Sequence, residues 1–175
     1  MSKKIALISL AVILCIVNLS IIKKEKHLNS DKFVYLALAP VDPRSLMQGD
    51  YMALRLELSD KVYNAILEKE AGRSVPEKTA LNDGHVIVSL NDLNIGTFKT
   101  LYQDQSLSDN EILIHYRMHK KTIELATNAF FFQEGHGELY QDAYYGRFSV
   151  DKHGSLLLTG MYDKNLTKLG TGKKE

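Results

Sequence analysis

The chain has 175 residues, enough for one domain plus an appendage. With 45% hydrophobic and 25% charged residues it has the balance of a folded globular protein, which excludes a disordered one. Twenty-two basic against 21 acidic residues leave a net charge of +1, so there is no electrostatic footprint for nucleic acid.

Residues 5–22 (IALISLAVILCIVNLSII) carry no charge and only three polar side chains, Ser9, Asn18 and Ser20. As a helix rising about 1.5 Å per residue the run is roughly 27 Å long, close to the ~30 Å hydrocarbon core of a bilayer. Lys4 and Lys23 can extend their ammonium groups to the headgroups. Lys3 and Lys4 would also suit the start of a cleaved signal peptide, but the apolar run is long and no small-x-small cleavage site follows it. A buried core helix fits less well, because the run is apolar on every side. The expected organisation is therefore a cytoplasmic tail (1–4), a transmembrane signal anchor (5–22), a spacer (23–32) and a β-rich extracytoplasmic domain (33–175). Lys3, Lys4 and the amino terminus nearly balance Lys23, Lys24 and Lys26, partly offset by Glu25, so charge alone does not orient the anchor. The short leading tail places the remainder outside, on a single-pass protein of the cell membrane. The single cysteine, Cys15, lies inside the apolar run, so no intrachain disulfide or cysteine-based metal site is expected.

Beyond the spacer the pattern turns strand-like. FVYLALA (33–39) is apolar and stopped by Pro40, and 41–50 is a loop punctuated by Pro43 and Gly49. Met52, Leu54, Leu56 and Leu58 then alternate with Tyr51, Ala53, Arg55 and Glu57, predicting a half-buried strand. Ser59 is placed to cap a helix over 60–71, with Val62, Ala65 and Ile66 on one face and Gly72 after its end. Strands follow at 85–90, 95–102, 111–118 and 122–127, with Ile112, Ile114, Tyr116 and Met118 inward. A short helix around 139–143 and a hairpin of 146–150 with 155–162 about the turn 151–154 close the chain. About eight strands and two helices joined by short turns predict a mainly β (α+β) fold, an antiparallel β-sandwich or small barrel, preceded by the transmembrane helix.

Three segments, DPRSLMQGDYMAL (42–54), FFFQEG (130–135) and AYYGRF with GSLLLTGMYDKNL (143–148 and 154–166), carry a resemblance in order and spacing. Together with the anchor the chain resembles an uncharacterised bacterial family named for its GDYxxLxY signature. The last tyrosine of that signature is Leu56 here; an apolar side chain still fills the core, but any role of its hydroxyl is lost. The resemblance implies an extracytoplasmic domain on a membrane anchor, in a complex with a multi-pass membrane protein, and no established activity.

The stretch before Gly49-Asp50 is also similar to the serine box of signal peptidases. There Val41 stands where the nucleophilic serine belongs, and no lysine is marked out as a base for Ser45, which argues against that chemistry. Asp42, Arg44, Asp50, Glu134 and Glu138 are the acid–base candidates, since paired carboxylates in different environments can divide acid and base roles. Turn chemistry explains the same residues: Asp before Pro accepts backbone hydrogen bonds, Gly49 supplies a positive φ, and Arg44 pairs with a carboxylate. A non-catalytic role fits them better. An ordered loop bearing Arg and Tyr makes a contact surface, so Asp42, Arg44, Gly49, Asp50, Tyr51, Glu134, Gly135 and Tyr145 are the candidates for binding a partner or ligand. No catalytic residue, metal site or cofactor is nominated. His115 and His119 would lie about 13 Å apart on a strand, too far for one zinc ion, and His85 and His153 fall at turn edges. The aromatic run 130–132 reads as core and sheet edge, and Tyr140, Tyr144 and Tyr145 as docking the short helix on the sheet. The expected function is a membrane-anchored accessory or binding domain; a carboxylate-dependent hydrolase or a small-ligand-binding domain is the alternative.

Overall fold

The computed structural model describes residues 2–28, 32–39, 51–71, 83–119 and 122–170. In chain order these form α1 (Ser2–Leu28), β1 (Phe33–Ala37), β2 (Tyr51–Ala53), α2 (Glu57–Ala71), β3 (Asp83–Leu90), β4 (Gly96–Leu101), β5 (Glu111–His119), β6 (Thr122–Glu124), β7 (Ala129–Phe131), a 3-10 turn (Gly137–Tyr140), β8 (Tyr145–Val150) and β9 (Leu156–Tyr162). The domain is mainly β and its ladders are antiparallel.

Three sheets run in the orders β1-β8-β9, β2-β7 and β4-β3-β5-β6. The first and third are stitched into a half-barrel. Tyr35 forms a parallel bridge with Ile95, its N–H donating to the Asn94 carbonyl at 2.9 Å. At the other side the His115 N–H donates to the Gly154 carbonyl, also at 2.9 Å. Gly154 has φ +80°, and a Cβ there would sit 2.8 Å from the Leu113 oxygen, so both backbone angle and space require glycine.

Strand alternation builds the main core. Val34 and Leu36 from β1, Val86 and Val88 from β3, Ile114 and Tyr116 from β5 and Phe148 and Val150 from β8 are all buried in one cluster. The helix α2 adds Leu58, Val62 and Ile66, one apolar stripe at i, i+4 and i+8. Desolvation in this core raises the Tyr116 pKa.

Two corrections to the expected elements concern this helix. The strand predicted to run on through Leu58 ends at Ala53, and Leu56 makes only an isolated bridge to Leu38. The helix begins at Glu57, so Ser59 lies inside it and is not its cap. Leu58 is buried under either periodicity, which is why the alternating pattern mimicked a strand. Glu57 and Asp60 in the first turn and Lys69 in the last complement the helix dipole.

At the amino terminus α1 is one continuous helix of 27 residues. Among the described residues no helix is long and apolar enough to cross a membrane, so the span expected at 5–22 is not shown.

Candidate docking surface

The ribbon β2–β7 stands apart from the half-barrel and brings together segments eighty residues apart. Its register sets Tyr51 opposite Phe131, Met52 opposite Phe130 and Ala53 opposite Ala129. Because facing side chains alternate between the two sides of a ribbon, this register sorts them cleanly. Met52, with Leu54 and Met161, is buried in a second apolar cluster, against which Phe130, Phe132, Tyr140, Ala143, Leu158 and Leu169 pack. Phe130 and Tyr140 meet edge to face at 5.0 Å, and Phe132 lies 5.4 Å from the same tyrosine. The short helix expected near 139–143 is thus a single 3-10 turn, docked through Tyr140.

The other side of the ribbon faces solvent. Phe131 is 73% exposed and Tyr51 39%, and their ring centroids are 5.8 Å apart. The aromatic run therefore divides: its outer two rings fill core, and the middle one does not.

Beyond β7 the chain turns at Gln133, whose carbonyl accepts from the His136 N–H at 3.0 Å. Glu134 is exposed at this turn, and Gly135 takes φ +80° with open space where a Cβ would be. Tyr145 begins β8, paired with Ala37 on one side and Tyr162 on the other. Its ring meets that of Tyr144 edge to face at 4.7 Å, and Lys164 lies 5.2 Å above Tyr144. Burial, then the neighbouring Tyr144 and Glu57, raises the Tyr145 pKa and keeps the hydroxyl protonated. Of the eight nominated residues, Asp42, Arg44, Gly49 and Asp50 lie outside the described residues, as does the spatial relation of Arg44 and Asp50 to Glu134. Glu138, the other acid–base candidate, is exposed in the 3-10 turn.

A groove of about 460 Å³ lies elsewhere, between the start of α2 and the segment 122–128. It is lined by Leu54, Arg55, Ser59, Asp60, Tyr63 and Glu124 among others and holds none of the nominated residues. At its rim Arg55 and Asp60 form an exposed ion pair at 2.7 Å. A smaller depression of about 160 Å³ touches Tyr144 and Tyr145, with Glu57, Lys61 and Phe98 on its other walls.

Sequence reasoning missed the pairing of Tyr51 with Phe131. A period-two reading of 129–132 would have turned Phe131 outward, but nothing local says which strand it meets. His85 and His153, assigned to turn edges, also prove to be neighbours: His85 Nε2 lies 3.3 Å from the His153 carbonyl.

Comparison with known proteins returned one family. The model described as GDYXXLXY protein matches residues 13–161. No curated protein and no solved structure matches the chain.

Proposed function

This chain belongs to the GDYXXLXY family, and from that premise we propose that it is a membrane-anchored extracytoplasmic accessory domain that docks a multi-pass membrane protein. The observation that carries the docking reading is the solvent-facing Tyr51–Phe131 pair. An exposed phenylalanine beside an exposed tyrosine, on a ribbon backed by a second apolar cluster, has the composition of a binding hot spot. The nominated Asp42, Arg44, Gly49 and Asp50 immediately precede Tyr51 in the chain, and Glu134 and Gly135 closely follow Phe131.

The chemistry of α1 supports the anchor. Its complete sequence is uncharged from 5 to 22, and 27 helical residues extend about 40 Å, beyond the ~30 Å of a hydrocarbon core. Its large apolar side chains are exposed around the whole circumference, from Ile5 at 67% to Ile22 at 47%. In water such a helix would leave an extended apolar surface unburied; in lipid that surface is solvated. Asn18 Nδ2 donates to the Leu14 carbonyl at 2.8 Å and Ser20 Oγ to that of Ile16 at 2.9 Å. These polar groups find partners on their own helix, as a hydrocarbon environment demands.

The chain enters the domain beside Val150, whose N–H donates to the Lys32 carbonyl, whereas the second cluster gathers near Leu38 and Met161, at the other end of β1. Those ends are roughly 13 Å apart along the strand. On this reading the aromatic pair stands away from the bilayer and addresses an extramembrane part of the partner.

The test is co-purification of the tagged full chain from solubilised native membranes. A multi-pass protein should accompany the wild type and be lost from Phe131→Ser and Tyr51→Ala at unchanged membrane content. Recovery of the wild type alone defeats the docking reading. Recovery of a soluble chain trimmed at its amino terminus defeats the anchor.

A further inference from the structure

Histidines that the sequence scatters meet on the outer face of the four-stranded sheet. His85 in β3 stands directly opposite His115 in β5. The backbone groups of this pair turn away from each other: the His85 carbonyl accepts from Tyr102 N–H on the β4 side, and the His115 N–H donates to Gly154 on the far side, both at 2.9 Å. They therefore form a non-hydrogen-bonded cross-strand pair, the arrangement that brings facing side chains closest. The two imidazole centroids are 5.1 Å apart, with ring planes at 64°. Two imidazoles sharing a tetrahedral ion at a metal–nitrogen distance of about 2.0–2.1 Å need centroids roughly 5 Å apart. The observed spacing matches that requirement without any movement of the strands.

A second observation points the same way. A carbonyl oxygen can only accept a hydrogen bond, so in the 3.3 Å contact with the His153 carbonyl His85 Nε2 is the donor, and the neutral ring then carries its lone pair on Nδ1. Metal-ligating histidines are oriented in this manner, one ring nitrogen donating to a backbone carbonyl while the other binds. The carbonyl itself is held firmly. Asp151 Oδ1 accepts from the N–H groups of His153 at 2.9 Å and Ser155 at 2.8 Å, and Gly154 packs directly on β5.

We propose that His85 and His115 form a bidentate seat for a late first-row divalent cation of the zinc type, His85 binding through Nδ1. Imidazole nitrogen suits such ions and not calcium or magnesium. Surrounding charges are compatible with a cation. Asp83 and Arg117 pair with each other at 3.4 Å, Glu124 lies opposite Arg117 on β6, and Tyr102, just after β4, presents its ring to His85. Among the described residues no group of three or more His, Cys, Asp or Glu could hold a metal ion, so the seat supplies two ligands. The remaining positions are open to water or to a donor atom of another molecule.

The test is a calorimetric Zn²⁺ titration at neutral pH of the full chain in detergent, stripped with a chelator. The wild type should take up one ion. His85→Gln and His115→Gln should each lose on the order of 100-fold in affinity, while His119→Gln, on the same strand but outside the pair, should retain it. Long-range ¹H–¹⁵N spectra of the unaltered chain give a second readout that does not depend on any variant folding: Zn²⁺ should shift Nδ1 of His85 and leave Nε2 protonated. No uptake by the wild type, undiminished affinity in either glutamine variant, or a metal shift on Nε2 of His85 overturns the assignment.

Discussion

The two apolar clusters differ in how they are closed. In the main one, three layers of contact converge: β1 and β8 from one sheet, β3 and β5 from another, and the α2 stripe across them, so that Val34, Val62, Val86, Val88, Ile114 and Phe148 reach 0% exposure. The second is smaller. Only Met52, Leu54 and Met161 are buried there, and its other members are half-covered rings and aliphatic chains. A residue enclosed on all sides cannot be replaced without a cavity, whereas a residue under a thin ribbon lets its neighbours settle. The main cluster thus fixes the fold, and the second positions the ribbon and its outward aromatic pair.

Truncation separates the two most sharply. Phe148→Ala should cost about 3–5 kcal/mol of unfolding free energy, and Met52→Ala about 2–3 kcal/mol, measured by chemical unfolding of the full chain in detergent. Equal losses would mean that the ribbon is as tightly enclosed as the barrel.

Glycine substitutions sharpen the contrast at the backbone level. Gly154 and Gly135 share a positive φ of 80°, but only Gly154 is pressed against a strand. Gly135→Ala should lose roughly 1–2 kcal/mol from the left-handed conformation alone. Gly154→Ala should lose more in the same assay, because the added methyl meets the Leu113 carbonyl.

An electrostatic contrast follows. Glu111, at the start of β5, has its pKa lowered, first by the Lys99 ammonium hydrogen-bonded to it and then by the Ser108 N–H. A carboxyl with a folded pKa below its unfolded value stabilises the fold above the ordinary range near 4.3, and that contribution fades as pH falls through the folded pKa. Melting temperatures of Glu111→Gln should therefore fall less steeply than those of the wild type as pH drops below about 4.3.

The smallest effect on stability is expected where the functional effect is largest. Phe131→Ser, on the exposed side of the ribbon, should change stability by no more than about 0.5 kcal/mol. A loss comparable to that of Met52→Ala would make Phe131 a core residue and remove the argument for docking.

How far the sequence carries can be followed through particular segments. Residues 111–118 alternate so regularly that Ile114 and Tyr116 fall on the inward face whatever strand lies beside them, and both are buried in the core. The hairpin of β8 and β9 about the turn 151–154 was legible from its turn residues and apolar flanks. At 56–58 the reading failed, because Leu56 and Leu58 fit a strand period while Leu58, Val62 and Ile66 fit a helix, and tertiary burial satisfies both. Among the candidate residues, the sequence nominates Tyr51 and Glu134 but reads Phe131 as core and sheet edge with its neighbours.

By itself the sequence determined the periodic faces, the turns, the uncharged leading helix and the family, because each depends on residues near one another along the chain. Tertiary structure alone decided that Tyr51 meets Phe131 and that His85 meets His115. Strand register sets which distant residues face each other, and a shift of one position would turn every one of those side chains to the opposite side of its sheet.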